Sequence, residues 1–197
     1  METSRLSDEE LVLRLEAPGN FDELYRRHVG KVTAFATRRC ATAHEVPDLV
    51  AAVWLEVIAS ARSFDARKGR ALPWIFGVAA NLTASNERRR RREREALQRL
   101  GRQPAVDPET VAEINAHIDA VEPARQAIRI LEALPMGERL IAELVLIEGL
   151  KPHEAARALG IKAATARMRL LRARRKLQDS VAPFRVMTDR PLPVSEA

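Results

Sequence analysis

The sequence predicts an all-α chain built as two small helical domains joined by a linker, and three observations carry that prediction. Apolar residues recur at spacings of three and four on both sides of the chain's middle, the period of a helix face. No stretch alternates apolar and polar residues as a half-buried strand would. Residues 103–123 contain Asp107, Glu109, Glu113, Asp119 and Glu122, no Lys or Arg, and prolines at both ends. Such a shift between two basic stretches marks a linker. The predicted limits are a first domain at 1–102, the acidic linker at 103–123, a second domain at 124–178 and a loosely ordered tail at 179–197.

Taken in order, Ser7-Asp8-Glu9-Glu10 is a capping-box arrangement ahead of Leu11, Val12 and Leu15. Pro18 and Gly19 end that short helix, and Asn20 is placed to cap the next. Phe21, Leu24, His28, Val32, Phe35 and Arg39 share one face of a long helix from residue 20 to about 40. Pro47 and Asp48 open a third helix, in which Leu49, Val50, Val53, Trp54, Val57 and Ile58 form a broad apolar face. Phe64–Gly69 is a turn-rich connector. Pro73 suits the start of a fourth helix, with Ile75, Val78, Ala79 and Leu82 continuing the pattern. That helix runs into five consecutive arginines, Arg88 to Arg92, which in a helix point in every direction. Two readings stay open for them: a solvated helix end, or a non-specific grip on nucleic-acid phosphate. Beyond the linker, Ile128, Leu131 and Leu134 mark a helix ended by Pro135, and Leu140, Ile141, Leu144, Val145 and Ile147 mark another ended near Gly149.

The most informative stretch is Lys151–Lys176. Pro152 suits a first helical position, and Ala155, Ala156 and Leu159 give a short helix a small apolar face. Gly160 can stop it in a left-handed turn, and Ile161 can plug the corner. A second helix starts near Ala163, with Ala163, Ala166, Leu170, Ala173 and Leu177 in one narrow seam. Ala164, Thr165, Met168, Arg172 and Arg175 fall roughly opposite, and Arg167, Arg169, Arg174 and Lys176 line the flanks. Together with Lys162, these are the candidate DNA-contacting residues. Nine cations face one acid, Glu154, so the segment carries a net +8 against +6 for the whole chain. A small-residue seam inside and guanidinium groups outside suit a helix-turn-helix that meets a major groove and its phosphates. The plainer alternative is a solvated basic face on an ordinary helical hairpin.

Hydrophobic residues at 46% and charged residues at 30% of 197 describe a globular chain with material for proper cores. No apolar run is long enough to span a bilayer, METSRLSDEE is no signal peptide, and Cys40 stands alone. A cytoplasmic location without membrane contact of its own is expected. Four scattered histidines offer no metal spacing, no Gly-rich phosphate loop occurs, and no nucleophile sits beside a base. No cofactor, no metal and no catalysis are expected.

The chain resembles an extracytoplasmic-function sigma factor of the sigma-70 family over residues 6 to 178. In the first domain the resemblance rests on FDELYRRHVGKV, EVPDLVAAVWLEV, FDARKGRALPWIFGVAAN and the arginine run. In the second it rests on LEALPMGERLIAELVLIEGLKPHEAARALGIKAATARMRLLRARRKL. The resemblance implies that the first domain holds core RNA polymerase and the minus-ten promoter element. It implies equally that the second binds the minus-thirty-five element, and that an anti-sigma factor clamps the pair until a signal removes it. By motif position, Asp48, Leu49 and Trp54 lie on the polymerase-docking helix. The Phe64–Gly69 loop and the Trp74–Asn81 helix match the part that captures an unpaired base. Opening DNA costs stacking energy, which an aromatic or apolar pocket and nearby cations can offset. Arg67, Lys68, Asn81 and Arg88 are the candidate DNA contacts there. The helical spacing of Trp74 and Phe76 favours core packing.

Departures from the family pattern are local. Ala51 and Ala52 stand where two polar groups are usual, Ala80 replaces an arginine, and Thr165-Ala166-Arg167-Met168-Arg169 replaces a more polar recognition sequence. Met168 would favour a thymine methyl over a hydrogen bond. Two other classes stay open on residues alone: a stand-alone helix-turn-helix regulator, bound as a dimer to paired half-sites, and a nucleic-acid-processing enzyme with a helical accessory domain.

Overall fold

The computed structural model describes residues 5–99 and 129–188, and every regular element among them is helical. In chain order these are α1 (Asp8–Leu13), α2 (Asn20–Thr37), α3 (Glu45–Ser60), α4 (Ala71–Arg99), α5 (Met136–Ala142), α6 (Pro152–Ala158) and α7 (Ala163–Thr188). A tight turn at Ala61–Ser63 follows α3, a helical segment at 129–132 precedes α5, and a wide helical turn at Glu143–Ile147 continues α5. The acidic linker expected at 103–123 lies outside the described residues.

The N-terminal capping box forms as expected. The Glu10 amide donates to the Ser7 hydroxyl at 3.2 Å, and Glu10 accepts from the Ser7 amide at 2.8 Å. Asn20 does not cap α2. Gly19 holds that position at φ 79°, where only glycine is unstrained. The Asn20 amide turns back instead and donates to the Arg14 carbonyl at 2.8 Å. The α4 N-terminus begins two residues before Pro73, because its first amide, Ala71, donates to Glu9 of α1 at 2.9 Å. Pro73 then lies within the first turn, where a missing N–H costs nothing.

Leu24, Val32, Phe35, Val53, Val57, Ile75 and Phe76 are fully buried between α2, α3 and α4. Phe35 and Phe76 meet at 5.7 Å. Asp8 ties α1 to α2. Its two carboxylate oxygens meet Arg27 at 2.8 Å and the buried His28 at 2.7 Å. At the other end of α2, Arg90 reaches across from α4 to Glu45. One member of the arginine run is therefore turned inward, while Arg88, Arg89 and Arg92 stay exposed.

The second half packs around α7. Ala166, Leu170 and Ala173 of the expected seam are buried against α5 and α6, joined by Leu131, Leu134 and Ala142. Gly160 turns left-handed at φ 61°, with the Ile161 amide bonded to the Ala156 carbonyl at 2.9 Å and Gly160 to Arg157 at 3.0 Å. That double closure is the helix stop the sequence predicted. α7 continues through Thr188, past the limit of 178 expected for the second domain, and the rest of the expected tail lies outside the described residues. Extending an existing helix costs one residue's freedom per added bond, and Pro183 removes one donor without stopping the run.

The two halves share one apolar core, in which Leu140, Ile141, Leu144, Leu150, Ala155 and Ala156 join the residues of α1–α4.

Two outcomes follow from this packing. Asp8→Ala should lower stability by about 1.5–3 kcal/mol, the range for a hydrogen bond to a charged group. Burial pushes the Asp8 carboxyl up, but Arg27 and His28 together bring it below its ordinary 3.8. Its contribution is thus present above that value and lost as pH falls through the lower folded one, which urea unfolding at stepped pH will read. The Cys40 thiol is pushed up to about 11 by burial and by Glu45, against a smaller opposing effect of Arg90. Iodoacetamide should therefore modify Cys40 far more slowly in the folded chain at pH 8 than in urea.

Candidate nucleic-acid interface

The helix-turn-helix is assembled from α6 and α7. Glu154 fastens the α6 N-terminus by accepting from the Lys151 amide at 2.9 Å. With its alanine seam turned inward, α7 presents Ala164, Arg167, Met168, Arg172 and Arg175 to solvent, and Lys162 is exposed at its start. Met168 is half exposed, and Thr165 is partly covered. Two predicted DNA contacts are engaged elsewhere. The Arg169 guanidinium lies over Gly137, so close that a Cβ there would stand 3.0 Å from it. The Lys176 ammonium pairs with Glu138 of α5 at 2.8 Å. One flank of α7, Arg169 and Lys176, thus holds it to α5, and among the described residues its outward cations are Arg167, Arg172, Arg174 and Arg175.

In the first half the candidate residues gather at one cleft. Phe64 is buried under Trp74, ring centres 5.3 Å apart, and Trp74, Lys68 and Asn81 line the opening. Arg67 and Lys68 are exposed but share Asp65, at 3.1 and 3.6 Å. Hydrogen bonds from Arg67 hold the Asp65 carboxyl down at about 2. With 91% exposure the Arg67 side chain keeps N–H donors that Asp65 does not use. Arg88 stands further along α4, exposed. Phe76 is core, as its spacing predicted, whereas Trp74 is only partly covered.

On α3, Asp48 is exposed, but Leu49 and Trp54 are interior. Trp54 retains 3% exposure and packs edge-on to Phe21 at 6.0 Å and against Tyr25 at 5.1 Å. These two shape α3 from within, so direct contact with a partner through them is not what the geometry offers. The outer face carries Leu55 at 67% and Ile58 at 48% exposure, with Ala51 beside them. Ile58, read from the sequence as part of the broad apolar face of α3, therefore lies on its outside instead.

Sequence reasoning did not find the residues joining the halves. Arg39, just beyond the end of α2 and 3% exposed, donates to Glu143, 1% exposed, at 2.9 Å, and Arg139 donates to the other Glu143 oxygen at 2.9 Å. Arg139 also bonds the Arg38 carbonyl, and Arg38 pairs with Glu148. Burial draws the Arg39 guanidinium below its usual range, with Glu143 opposing. Arg70 makes two parallel hydrogen bonds to Glu154, at 2.9 and 3.1 Å. No local pattern announces pairings separated by 84 or 104 residues. Among the described residues, no group of three His, Cys, Asp or Glu could hold a metal ion, and no helix is long and apolar enough to cross a membrane.

A helical body with an aromatic-lined cleft, followed by a helix-turn-helix with a cationic outer face, has the build of a two-part DNA-binding protein. Comparison with known proteins makes the class specific. Residues 24–94 match Sigma-70 region 2 and residues 124–177 match Sigma-70 region 4. The chain is 33% identical over 165 residues to the ECF RNA polymerase sigma factor SigE of Mycolicibacterium smegmatis, which covers 83% of this chain and 62% of that protein. It is 33% identical over 155 residues to the ECF RNA polymerase sigma factor EcfG of Rhodopseudomonas palustris, covering 76% of this chain and 78% of that protein. The fold matches the sigma factor RpoE, solved in complex with the anti-sigma factor NepR from Bartonella quintana, at TM-score 0.65 and 22% identity over 87% of this chain and 99% of that one. The chain belongs to the extracytoplasmic-function sigma factors of the sigma-70 family.

The geometry separates two kinds of basic residue on α7. Lys176→Ala should lower stability by about 0.5–1 kcal/mol in urea, as loss of a partly exposed ion pair does. Arg172→Ala, pointing to solvent, should leave the unfolding midpoint in place.

Proposed function

We propose that the chain directs core RNA polymerase to a set of promoters and helps melt them, without catalysis of its own. In this reading α7 reads the minus-thirty-five element through Ala164, Thr165, Met168 and the exposed Arg167, Arg172 and Arg175. The cleft of Phe64, Lys68, Trp74 and Asn81 receives an unpaired base of the minus-ten element, and Arg67 and Arg88 add attraction for the backbone. Polymerase docks on the outer face of α3, through Asp48 and the apolar Leu55 and Ile58, whose exposure invites cover. RpoE is known in complex with an anti-sigma factor, and we extend that kind of partner to this chain. The work is cytoplasmic, where polymerase and promoter are.

The single observation that carries this reading is the pairing of a region 2 body with a region 4 helix-turn-helix in one chain. A stand-alone regulator needs only the second. The test mixes the purified chain with core polymerase on a promoter library. Polymerase-dependent open complexes support the reading, and tight binding of duplex half-sites by the chain alone, as a dimer, defeats it.

On a promoter selected that way, Arg172→Ala and Arg175→Ala should each weaken holoenzyme binding. A base contact would cost about 1–3 kcal/mol and relax specificity at one position, whereas a phosphate contact would lower the salt slope by about 1. Filter binding across a salt series separates the two.

A further inference from the structure

The outward face of α7 is short of groups that read bases by hydrogen bonding. Between Ala163 and Lys176 there is no Asn, Gln, Asp, Glu or Ser, and Thr165 is partly covered. Arginine pairs with guanine, but the adenine and cytosine edges find no matching amide or carboxylate on this stretch. What the ridge offers instead is apolar. Met168 and Leu171 are both exposed, three residues apart, and the exposed Ala164 lies one turn before Met168. At ~100° per residue these three fall within about 60° of one another, opposite the buried Ala166–Leu170–Ala173 seam. Arg167 and Arg172 flank the ridge on its two sides, and Arg175 closes its far end.

We propose that α7 reads a methyl group: one pyrimidine of the minus-thirty-five element seats its C5-methyl against Met168, with Leu171 covering the same patch from the next turn. This rests on α7 being the minus-thirty-five helix, and adds the atom that it recognises. Thymine carries that methyl and so does 5-methylcytosine, whereas uracil and cytosine lack it. The element is therefore sensitive to covalent methylation of its bases. A C·G pair at this position becomes a site once its cytosine is methylated.

A duplex major groove is the occupant that fits the surroundings. A lone apolar side chain on a surface needs no explanation, but here two adjoin on the ridge that a groove-bound helix pushes deepest. The guanidinium groups that border them attract a polyanion and repel a cationic protein surface. Within the groove, the thymine methyl is the one apolar group that a base pair presents. The methionine side chain is unbranched and polarizable, so it settles on a methyl without demanding one fixed geometry. Burying that methyl is worth about fourfold in binding, while arginines on either side hold the backbone and keep the helix in register. Arg169 and Lys176 take no part, since α5 holds them.

The test takes the full chain and selects random duplex DNA in two arms, one with core polymerase and one without. In the selected element each thymine is replaced singly by deoxyuridine, which deletes only the methyl. One such replacement should weaken binding about fourfold for the parent and leave Met168→Ala unaffected, since that variant has already lost the contact. At the same position 5-methylcytosine should bind the parent as thymine does, and unmodified cytosine should not. Both ridge residues are exposed, so Met168→Ala and Leu171→Ala should keep the parent's unfolding midpoint, and Leu171→Ala should shrink the deoxyuridine effect. An element in which no methyl matters would overturn the proposal, as would a methyl effect as large in Met168→Ala as in the parent. So would weaker binding of core polymerase by Met168→Ala without DNA, which would make the ridge a protein contact. A site bound as tightly by a dimer of the chain alone would defeat the functional reading, and the deoxyuridine series on that site would still decide the methyl contact. Failure to select any duplex in either arm overturns both.

Discussion

At the point where α4 and α6 meet, α4 has no side chain. Gly77 lets the Ala158 carbonyl approach to a distance that even a methyl group would forbid. The same economy of volume recurs at Ala155, Ala156, Ala166 and Ala173, each almost fully buried. Short helices packed through such residues bring their backbones close and leave the longer side chains on the outside. That constraint is why α7 can turn one face of alanines inward and several guanidinium groups outward. It also sets how near the second half can come to the cleft.

Cations in this chain divide by what they face. Arg38, Arg39 and Arg139 are turned into the contact between the halves, Arg90 onto Glu45, and Arg169 and Lys176 onto α5. Arg88, Arg92, Arg167, Arg172, Arg174 and Arg175 look outward. The net +8 of the helix-turn-helix segment was read as a DNA-facing charge, but part of it holds the module together. A charge count cannot separate the two uses, because which flank of α7 meets α5 is a matter of tertiary packing.

What could be read in advance follows the same line between local and distant. The capping box of Ser7 and Glu10, the Gly160 stop and the Ala166–Leu170–Ala173 seam depend on residues within a few positions of one another. Their chemistry is complete in the local sequence. The Glu9 cap on α4, the Arg39–Glu143–Arg139 cluster and the Arg70–Glu154 pair join residues 62, 104 and 84 apart. Nothing in their neighbours marks them. Trp54 and Leu49 show a different failure. Motif position put them on the right helix, and only the fold could say that they look inward while Leu55 and Ile58 look out.

Burial also sets how each group responds to salt. The outward arginines of α7 act through water, where ions at physiological strength screen a charge within about 8 Å. Glu143 and Arg39 sit where counterions cannot follow, so their attraction hardly changes with salt. Raising ionic strength should therefore weaken the grip on phosphate well before it weakens the polar contact between the halves. Arg70 and Glu154 occupy the middle ground, the arginine largely exposed and the carboxylate mostly covered. Of the bonds across the cleft, this pair is the one that salt and a competing phosphate can both reach.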